Sequence, residues 1–210
     1  MSNREIMEYD VVIVGAGPSG LSTAIKLKQL SKNANKDLSV CVVEKGSEVG
    51  AHILSGAVIE TKALDELIPD WEKKDCPLKT KANDDKFLYL TETKSYQLPT
   101  PPQMHNKGNY IISLSDFTKW LAEQAELLEV EIYPGFSASE VLFNEHNKVI
   151  GIATCDMGRL KDGSKGPNFE QGIELHAKQT VFSEGCRGHL GKILIKKFDL
   201  DIESSPQTYG

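Results

Sequence analysis

Residues 11–44 read VVIVGAGPSGLSTAIKLKQLSKNANKDLSVCVVE. The opening VVIV is a short β-branched run between a polar lead and a glycine, the pattern of a strand buried on both faces. Gly15, Gly17 and Gly20 then space a GxGxxG turn, with Ala16, Pro18 and Ser19 between them. From Leu21 to Leu30 the apolar Leu21, Ala24, Ile25, Leu27 and Leu30 fall on one side of a helix. A polar loop, SKNANKD, leads to a second strand, LSVCVV, with Glu44 at its end. Strand, turn, helix, strand and acid stand in the order of a dinucleotide-binding βαβ unit. In such a unit Gly15 permits the tight turn, Gly17 lets the backbone approach a pyrophosphate, and Gly20 lets helix and strand pack closely. The helix N-terminus offers unpaired N–H groups and a partial positive charge to the phosphates. Glu44 lies 24 residues beyond Gly20. A carboxylate there accepts hydrogen bonds from both ribose hydroxyls and disfavours a 2′-phosphate, so FAD or NAD is expected over NADP. The alternative is a glycine-rich turn in some other α/β unit.

Outward from this unit, Thr61 to Ile68 reads as a short helix stopped by Pro69, and Phe87 to Leu90 as a strand. Gln97 to Asn109, with Pro99, Pro101 and Pro102, reads as an ordered loop. Tyr110 to Leu114 is a strand, Ser115 an expected N-cap, and Phe117, Trp120, Leu121, Gln124 and Leu128 define a helix over Asp116 to Leu128. Val130 to Tyr133 is a further strand. Glu140 to Phe143, Lys148 to Cys155 and Gly172 to Phe182 are strand-like and form a three-stranded antiparallel meander. Asp156 to Gln171 between them is a Gly- and Lys-rich turn region, and Lys192 to Phe198 a short helix.

Composition bounds the function. The 210 residues are 40% hydrophobic and 26% charged, as in a soluble globular chain. Thirty acids against 24 bases give a net charge of −6, which argues against a nucleic-acid partner. No stretch reaches the roughly 20 apolar residues of a membrane span. Cys41, Cys76, Cys155 and Cys186 are at least 31 residues apart, so local cysteine spacing builds no zinc or iron–sulfur site and no metal ligands are assigned. A disulfide scaffold is equally unexpected, and a reducing compartment fits the chain better.

Two features favour FAD over NAD. The run after the acid, Glu44 to Gly56 (EKGSEVGAHILSG), is punctuated by glycine and suits a large cofactor; Lys45, Ser55 and Gly56 are candidate contacts there. The meander ends in TVFSEG, a buried strand running into Glu184 and Gly185. In two-dinucleotide flavoproteins such a strand returns to the first unit and ends beside the cofactor, whereas an NAD dehydrogenase more often continues with βα units.

Several stretches resemble the electron transfer flavoprotein–ubiquinone oxidoreductase family. They are DVVIVGAGPSGLSTAIKLKQL (10–30), VVEKGSEVGAHILSGAVI (42–59), GNYIISLSDFTKWLAEQAE (108–126), VEIYPGF (130–136), ELHAKQTVFSEGCRGHLGK (174–192), and KKFDL followed by PQTYG. GAHILSGA and LHAK…SEGCRGHL are the specific ones; the first stretch is shared with many flavoproteins. The resemblance implies a peripheral membrane enzyme holding FAD and a 4Fe-4S cluster, with electron transfer flavoprotein and ubiquinone as partners. Family members are longer and carry their cluster cysteines in a C-terminal region, so the chain is expected to be an N-terminal portion, truncated at its C-terminus and inactive by itself. Without a basic leader, the inner membrane of a bacterium, on its cytoplasmic face, is the expected location, with the mitochondrial inner membrane as the alternative. Another FAD oxidoreductase of similar topology (a prenyl-lipid reductase or aromatic hydroxylase) and a non-catalytic dinucleotide-binding fragment are the competing functions.

The fold expected is α/β: a Rossmann-type parallel sheet with an antiparallel three-stranded meander, of the two-dinucleotide flavoprotein type. A discontinuous FAD-binding domain would take residues 9–86, 110–133 and 174–210, the meander 138–183, and a quinone-side lobe 87–109. Ala51 to Trp71 offers an apolar surface that either packs on the core or lies at a membrane interface, where Trp71 would suit. Leu98 to Met104 reads as a plain surface loop. His52 reads as a hydrogen-bonding residue near the flavin. Arg187 and His189 face the diphosphate or lie on a solvated turn, and Cys186 is a small packed side chain.

Overall fold

A computed structural model describes residues 4–204. The chain forms two compact units, one up to Val49 and again from Ala122, the other from Gly50 to Leu121. The first unit opens with β1 (Ile6–Val14), α1 (Pro18–Asn33) and β2 (Val40–Glu44). The second holds β3 (Gly56–Ile59), α2 (Lys62–Leu67), β4 (Thr80–Lys81), β5 (Phe87–Leu90), β6 (Ser95–Leu98) and β7 (Tyr110–Ser113). The chain returns to the first unit within α3 (Leu114–Glu126). It then forms β8 (Glu131–Pro134), β9 (Ala138–Phe143), β10 (Val149–Thr154), β11 (Met157–Arg159), β12 (Lys165–Glu170), β13 (Glu174–Phe182) and α4 (Leu190–Phe198).

The first unit is built on one six-stranded sheet in the order β8-β2-β1-β13-β10-β9. Strands β8, β2, β1 and β13 run parallel, while β10 pairs antiparallel with both β13 and β9. The parallel half and the expected meander are therefore one sheet, joined through β13. Strand β1 is central because its Val11, Val12, Ile13 and Val14 are all buried, as an apolar run with no polar alternation requires. Helix α1 covers one face with Gly20, Leu21, Ala24 and Ile25. A core cluster containing Val12, Val14, Cys41, Val43, Ile152, Leu175 and Leu190 includes the one buried residue of α4. Burial pushes the Cys41 thiol up to about 12, with the Glu131 carboxylate adding to the shift, so it packs as a neutral apolar group.

Polar clamps fix the strand starts. Asp10 Oδ2 accepts the Ser39 N–H at 2.9 Å and its hydroxyl at 3.1 Å, the Asp10 N–H donates to Ser39 Oγ at 2.8 Å, and Lys178 pairs with Oδ1. This ties β1 to the entry of β2 and to β13. The Tyr9 hydroxyl donates to Glu131 at 2.7 Å, and the Tyr133 hydroxyl donates to the same carboxylate oxygen, which fastens β1 to β8. Burial, the Tyr133 hydroxyl and the Glu131 carboxylate raise the Tyr9 phenol well above its usual range.

In the second unit, β3 and β4 flank β7 antiparallel. Leu64, Ile68, Trp71, Tyr110, Phe117 and Trp120 are buried, with Trp71 edge-on to Tyr110 at 5.7 Å and Trp71 Nε1 donating to Asp65 at 2.7 Å. The apolar face of residues 51–71 therefore divides. Its helical part packs inward, Trp71 included, while Leu54 and Val58 stay exposed. Strands β5 and β6 pair as a separate hairpin whose eight residues are all exposed. Asn106 closes the base of this excursion by donating its N–H and Nδ2 to the Asp85 carboxylate at 2.8 and 2.9 Å.

Three local expectations change. Ser113, not Ser115, caps α3: its hydroxyl accepts the Asp116 N–H at 3.2 Å, while Ser115 Oγ donates to the Gly50 carbonyl. The proline-rich loop begins only after Leu98, because Ser95–Leu98 pairs with β5. The region 156–171 contains the hairpin β11–β12. The sequence hid it because cross-strand contacts hold it rather than apolar alternation. The Arg159 guanidinium at 5.2 Å and the Lys165 ammonium at 4.3 Å both stand over the Phe169 ring.

The clamp at Asp10 predicts an acid dependence. The Lys178 ammonium and the Ser39 N–H hold the Asp10 carboxyl at about 2, below its ordinary 3.8. A carboxyl depressed in the folded state stabilises the fold above its unfolded value and loses that contribution as pH falls toward its folded one. Thermal melts should therefore show an Asp10-dependent loss of stability as pH drops from about 4 to about 2. Asp10→Asn should flatten that stretch of the profile and cost about 1.5 kcal/mol at neutral pH. A variant profile parallel to wild type would remove Asp10 from the acid response.

Candidate dinucleotide-binding site

The carboxyl ends of β2, β1 and β13 converge on the glycine turn. Gly15 has φ +104°, a conformation side chains rarely adopt, and its N–H donates to the Val43 carbonyl at 2.8 Å. A Cβ built on Gly15 would lie 2.5 Å from the Ser183 carbonyl oxygen, and one on Gly20 only 2.0 Å from the Gly15 carbonyl. These two glycines are required by packing inside the protein. Gly17 differs: it is extended, and a Cβ there would meet nothing within 4 Å. The space beside Gly17 is open, as the approach of a diphosphate to the backbone demands.

Helix α1 begins here with Pro18 at its first position, a residue with no N–H to leave unpaired. The Leu21 N–H donates to the Gly17 carbonyl at 3.0 Å. No side chain caps the helix, and no acid lies in its first turn. The 16-residue helix thus points an unmodified positive dipole end at the open space. Ala16 is buried beneath the turn, while Ser19 is exposed and its carbonyl accepts the Thr23 hydroxyl at 2.8 Å.

Glu44 ends β2, and both its carboxylate oxygens reach back to backbone. Oε2 accepts the Ala16 N–H at 3.1 Å and Oε1 the Gly46 N–H at 2.7 Å. The acid is thereby oriented at the rim of the turn. The Gly46 carbonyl in turn accepts the Gly135 N–H at 2.7 Å, which joins the end of β8 to the same rim.

The sequence-predicted residues separate into groups. Gly15, Ala16, Gly17, Pro18, Ser19, Gly20 and Glu44 are brought together. Lys45 is exposed beside them. Ser55 and Gly56 lie in the second unit, where Gly56 opens β3. Glu184 and Gly185 follow β13, but the Glu184 carboxylate turns to the first residues of α4, accepting the Gly191 N–H at 2.7 Å. Arg187 and Cys186 are exposed, so Cys186 is not packed, and the His189 ring lies 3.4 Å from Glu184. His52 is exposed in the second unit. Ser183, Gly46 and Gly135 went unread. Gly46 and Gly135 each stand within two residues of a strand end, the one signal that marked them. Among the described residues, no group of three or more His, Cys, Asp or Glu is placed to hold a metal. No helix there is long and apolar enough to cross a membrane.

Comparison with known proteins agrees with this geometry. Residues 13–69 match the NAD(P)-binding Rossmann-like domain. A mitochondrial electron transfer flavoprotein-ubiquinone oxidoreductase of Dictyostelium discoideum is 63% identical over 99% of this chain and 34% of its own length. A probable electron transfer flavoprotein-ubiquinone oxidoreductase of Acinetobacter baylyi is 57% identical over 99% of this chain and 37% of its own. Over nearly its whole length the chain is thus homologous to these oxidoreductases, and it spans about one third of theirs. A geranylgeranyl bacteriochlorophyll reductase-like protein of Thermoplasma acidophilum superposes with a TM-score of 0.60 at 19% identity, over 86% of this chain and 40% of that one. CtdE in complex with FAD does so at 0.55 and 19%, over 87% and 39%. These likenesses show the fold: a Rossmann-type parallel sheet continued by an antiparallel meander. The PQTYG stretch used in the sequence comparison lies outside the described residues.

The three glycines should separate experimentally. Gly17→Ala should cost under about 1 kcal/mol in a denaturant melt, because its Cβ enters open space at a helix N-cap. Gly20→Ala should cost at least about 3 kcal/mol, since the backbone itself must move. If Gly17→Ala is as destabilising as Gly20→Ala, the open space beside Gly17 is wrong. Glu44→Ala should cost about 1–3 kcal/mol by leaving the Ala16 and Gly46 N–H groups without their acceptor, and should lower affinity for ADP.

Proposed function

We propose that this chain is the FAD-side portion of an enzyme that carries electrons from reduced electron transfer flavoprotein to ubiquinone. The observation that carries the proposal is the uncapped N-terminus of α1 over the open face of Gly17, with Glu44 fixed at the rim. The relatives' name gives that site its reaction.

Each residue then has a task. The first-turn N–H groups of α1 bind the FAD diphosphate. Gly17 lets the backbone come close, and any side chain there would occupy the phosphate's place. Glu44 accepts hydrogen bonds from the adenosine ribose, and its contacts with Ala16 and Gly46 hold it in position for that. When bound, the flavin supplies a carrier that passes electrons singly or in pairs, which joins a one-electron donor to a two-electron quinone. The four cysteines are too dispersed for a cluster, so the 4Fe-4S centre belongs to the remaining two thirds of such a protein.

The membrane and quinone side falls to the second unit. Its β5–β6 hairpin exposes Leu88, Tyr89, Leu90, Tyr96 and Leu98, an apolar and aromatic set of interfacial character. The protein is then peripheral on an inner membrane, bacterial on its cytoplasmic face or mitochondrial.

The test is a pair of measurements. Absorbance and calorimetric titration of the 210-residue chain should show FAD and ADP binding without quinone reduction. Joined to the rest of the polypeptide, the protein should reduce a ubiquinone analogue with reduced electron transfer flavoprotein as donor. Rapid bleaching of its flavin by NADH would instead assign a hydroxylase-type enzyme and overturn the proposal.

A further inference from the structure

We infer that Glu184 is a positioning residue for the dinucleotide site and not one of its ligands. The inference rests on the reading that the Gly15–Gly20 turn holds the FAD diphosphate. Strand β13 ends at Phe182, opposite Val14. The next residue, Ser183, donates its N–H to the Val14 carbonyl at 2.8 Å, and its own carbonyl fills the place a Gly15 side chain would take. Ser183 is thus the wall of the phosphate turn, and Glu184 is the residue that fixes where this wall ends.

The Glu184 side chain is 12% exposed and faces α4. Oε2 accepts the Gly191 N–H at 2.7 Å, and Oε1 accepts the His189 and Leu190 N–H groups at 3.2 and 3.3 Å. These donors are the unpaired groups of a helix start, and the carboxylate meets the positive end of the α4 dipole. Gly188 makes the fold-back possible, since a Cβ there would lie 2.5 Å from Glu184 Cβ. Leu190, fully buried in the core cluster, anchors α4 itself. The chain of contacts runs from the core through Leu190 and the carboxylate to Ser183 and the turn.

The two helix starts of this unit are therefore treated oppositely. That of α1 has no cap and no acid, and that of α4 is filled by Glu184. A carboxylate left free beside a diphosphate would repel it. This one has both oxygens engaged by backbone donors, so its charge is matched locally.

Calorimetric titration of the 210-residue chain with ADP and with FAD tests the role. Glu184→Ala removes the acceptor, and Gly188→Ala displaces it while leaving the carboxylate in the sequence. Both should weaken ADP and FAD by the same factor, on the order of ten-fold, because the shared diphosphate turn loses its wall. Glu184→Gln keeps one acceptor oxygen and should fall between. It also carries the comparison at temperatures where the alanine variants melt. Weakened FAD binding with unchanged ADP affinity would make Glu184 a flavin-side ligand and overturn the inference. Unchanged affinity for both would reduce it to a cap of α4, which also overturns it. A wild-type chain that binds neither nucleotide fails the FAD reading itself, and that outcome is distinct because it precedes any variant.

Discussion

The fold of the first unit depends on one steric constraint: at Gly15 there is no room for a side chain. The turn's own N–H reaches across to β2 through Val43, while the Ser183 carbonyl closes from β13 at a distance no Cβ would tolerate. Three strand ends are thus locked together at a point where the backbone is left-handed. The constraint is long-range, because β1 and β13 are paired over eight positions although 168 residues separate each pair. Contacts of such sequence separation cost loop-closure entropy before they return any energy. They hold because this pairing buries Val11 to Val14 together.

The electrostatics of the unit follow the same logic. The whole chain carries a charge of −6, which at long range repels a polyanionic ligand. Yet the carboxylates nearest the glycine turn have their oxygens on donors: Glu44 on two backbone N–H groups and Glu184 on three. Glu131 farther down the sheet takes two tyrosine hydroxyls. Net charge governs the far field, which salt screens within about 10 Å. What an anion meets at contact distance is the α1 terminus, free of acids in its first turn.

The parallel half of the sheet was legible because its signals are local and strong. VVIV, GAGPSG and the apolar stripe of the following helix each specify one conformation, and α1 only extends the expected Leu21 to Leu30 by a turn or less at either end. The meander was legible too, from three β-rich stretches in succession. What escaped was held by contacts that leave no periodic trace. The β11–β12 hairpin is kept by two cations over one phenylalanine ring, and the cap of α3 moved to Ser113 because Ser115 is drawn to the Gly50 carbonyl. At the site, Gly17 and Glu44 were readable as a motif. Ser183 was not, because a bare carbonyl oxygen acts there and every residue carries one. Glu184 was noticed as an acid after a strand, but the direction of its side chain depends on Gly188 and Leu190, which no motif links to it.

A site assembled this way also explains how, in the proposed enzyme, one portion of the chain can hold the nucleotide-binding chemistry. The turn, the rim acid and the wall all come from the first unit, and each is fixed by hydrogen bonds within that unit. In the proposed reading, an adenosine diphosphate group draws on these residues. The proposed electron transfer asks for more: a partner surface, a second redox centre and a path to a quinone, none of which backbone N–H groups supply. Helix α4 and the segment after it leave Ile193, Ile195, Phe198, Leu200 and Ile202 exposed. In the proposed enzyme the division of labour follows from this: nucleotide recognition is a local property of the sheet's carboxyl end, and catalysis belongs to the assembly that completes it.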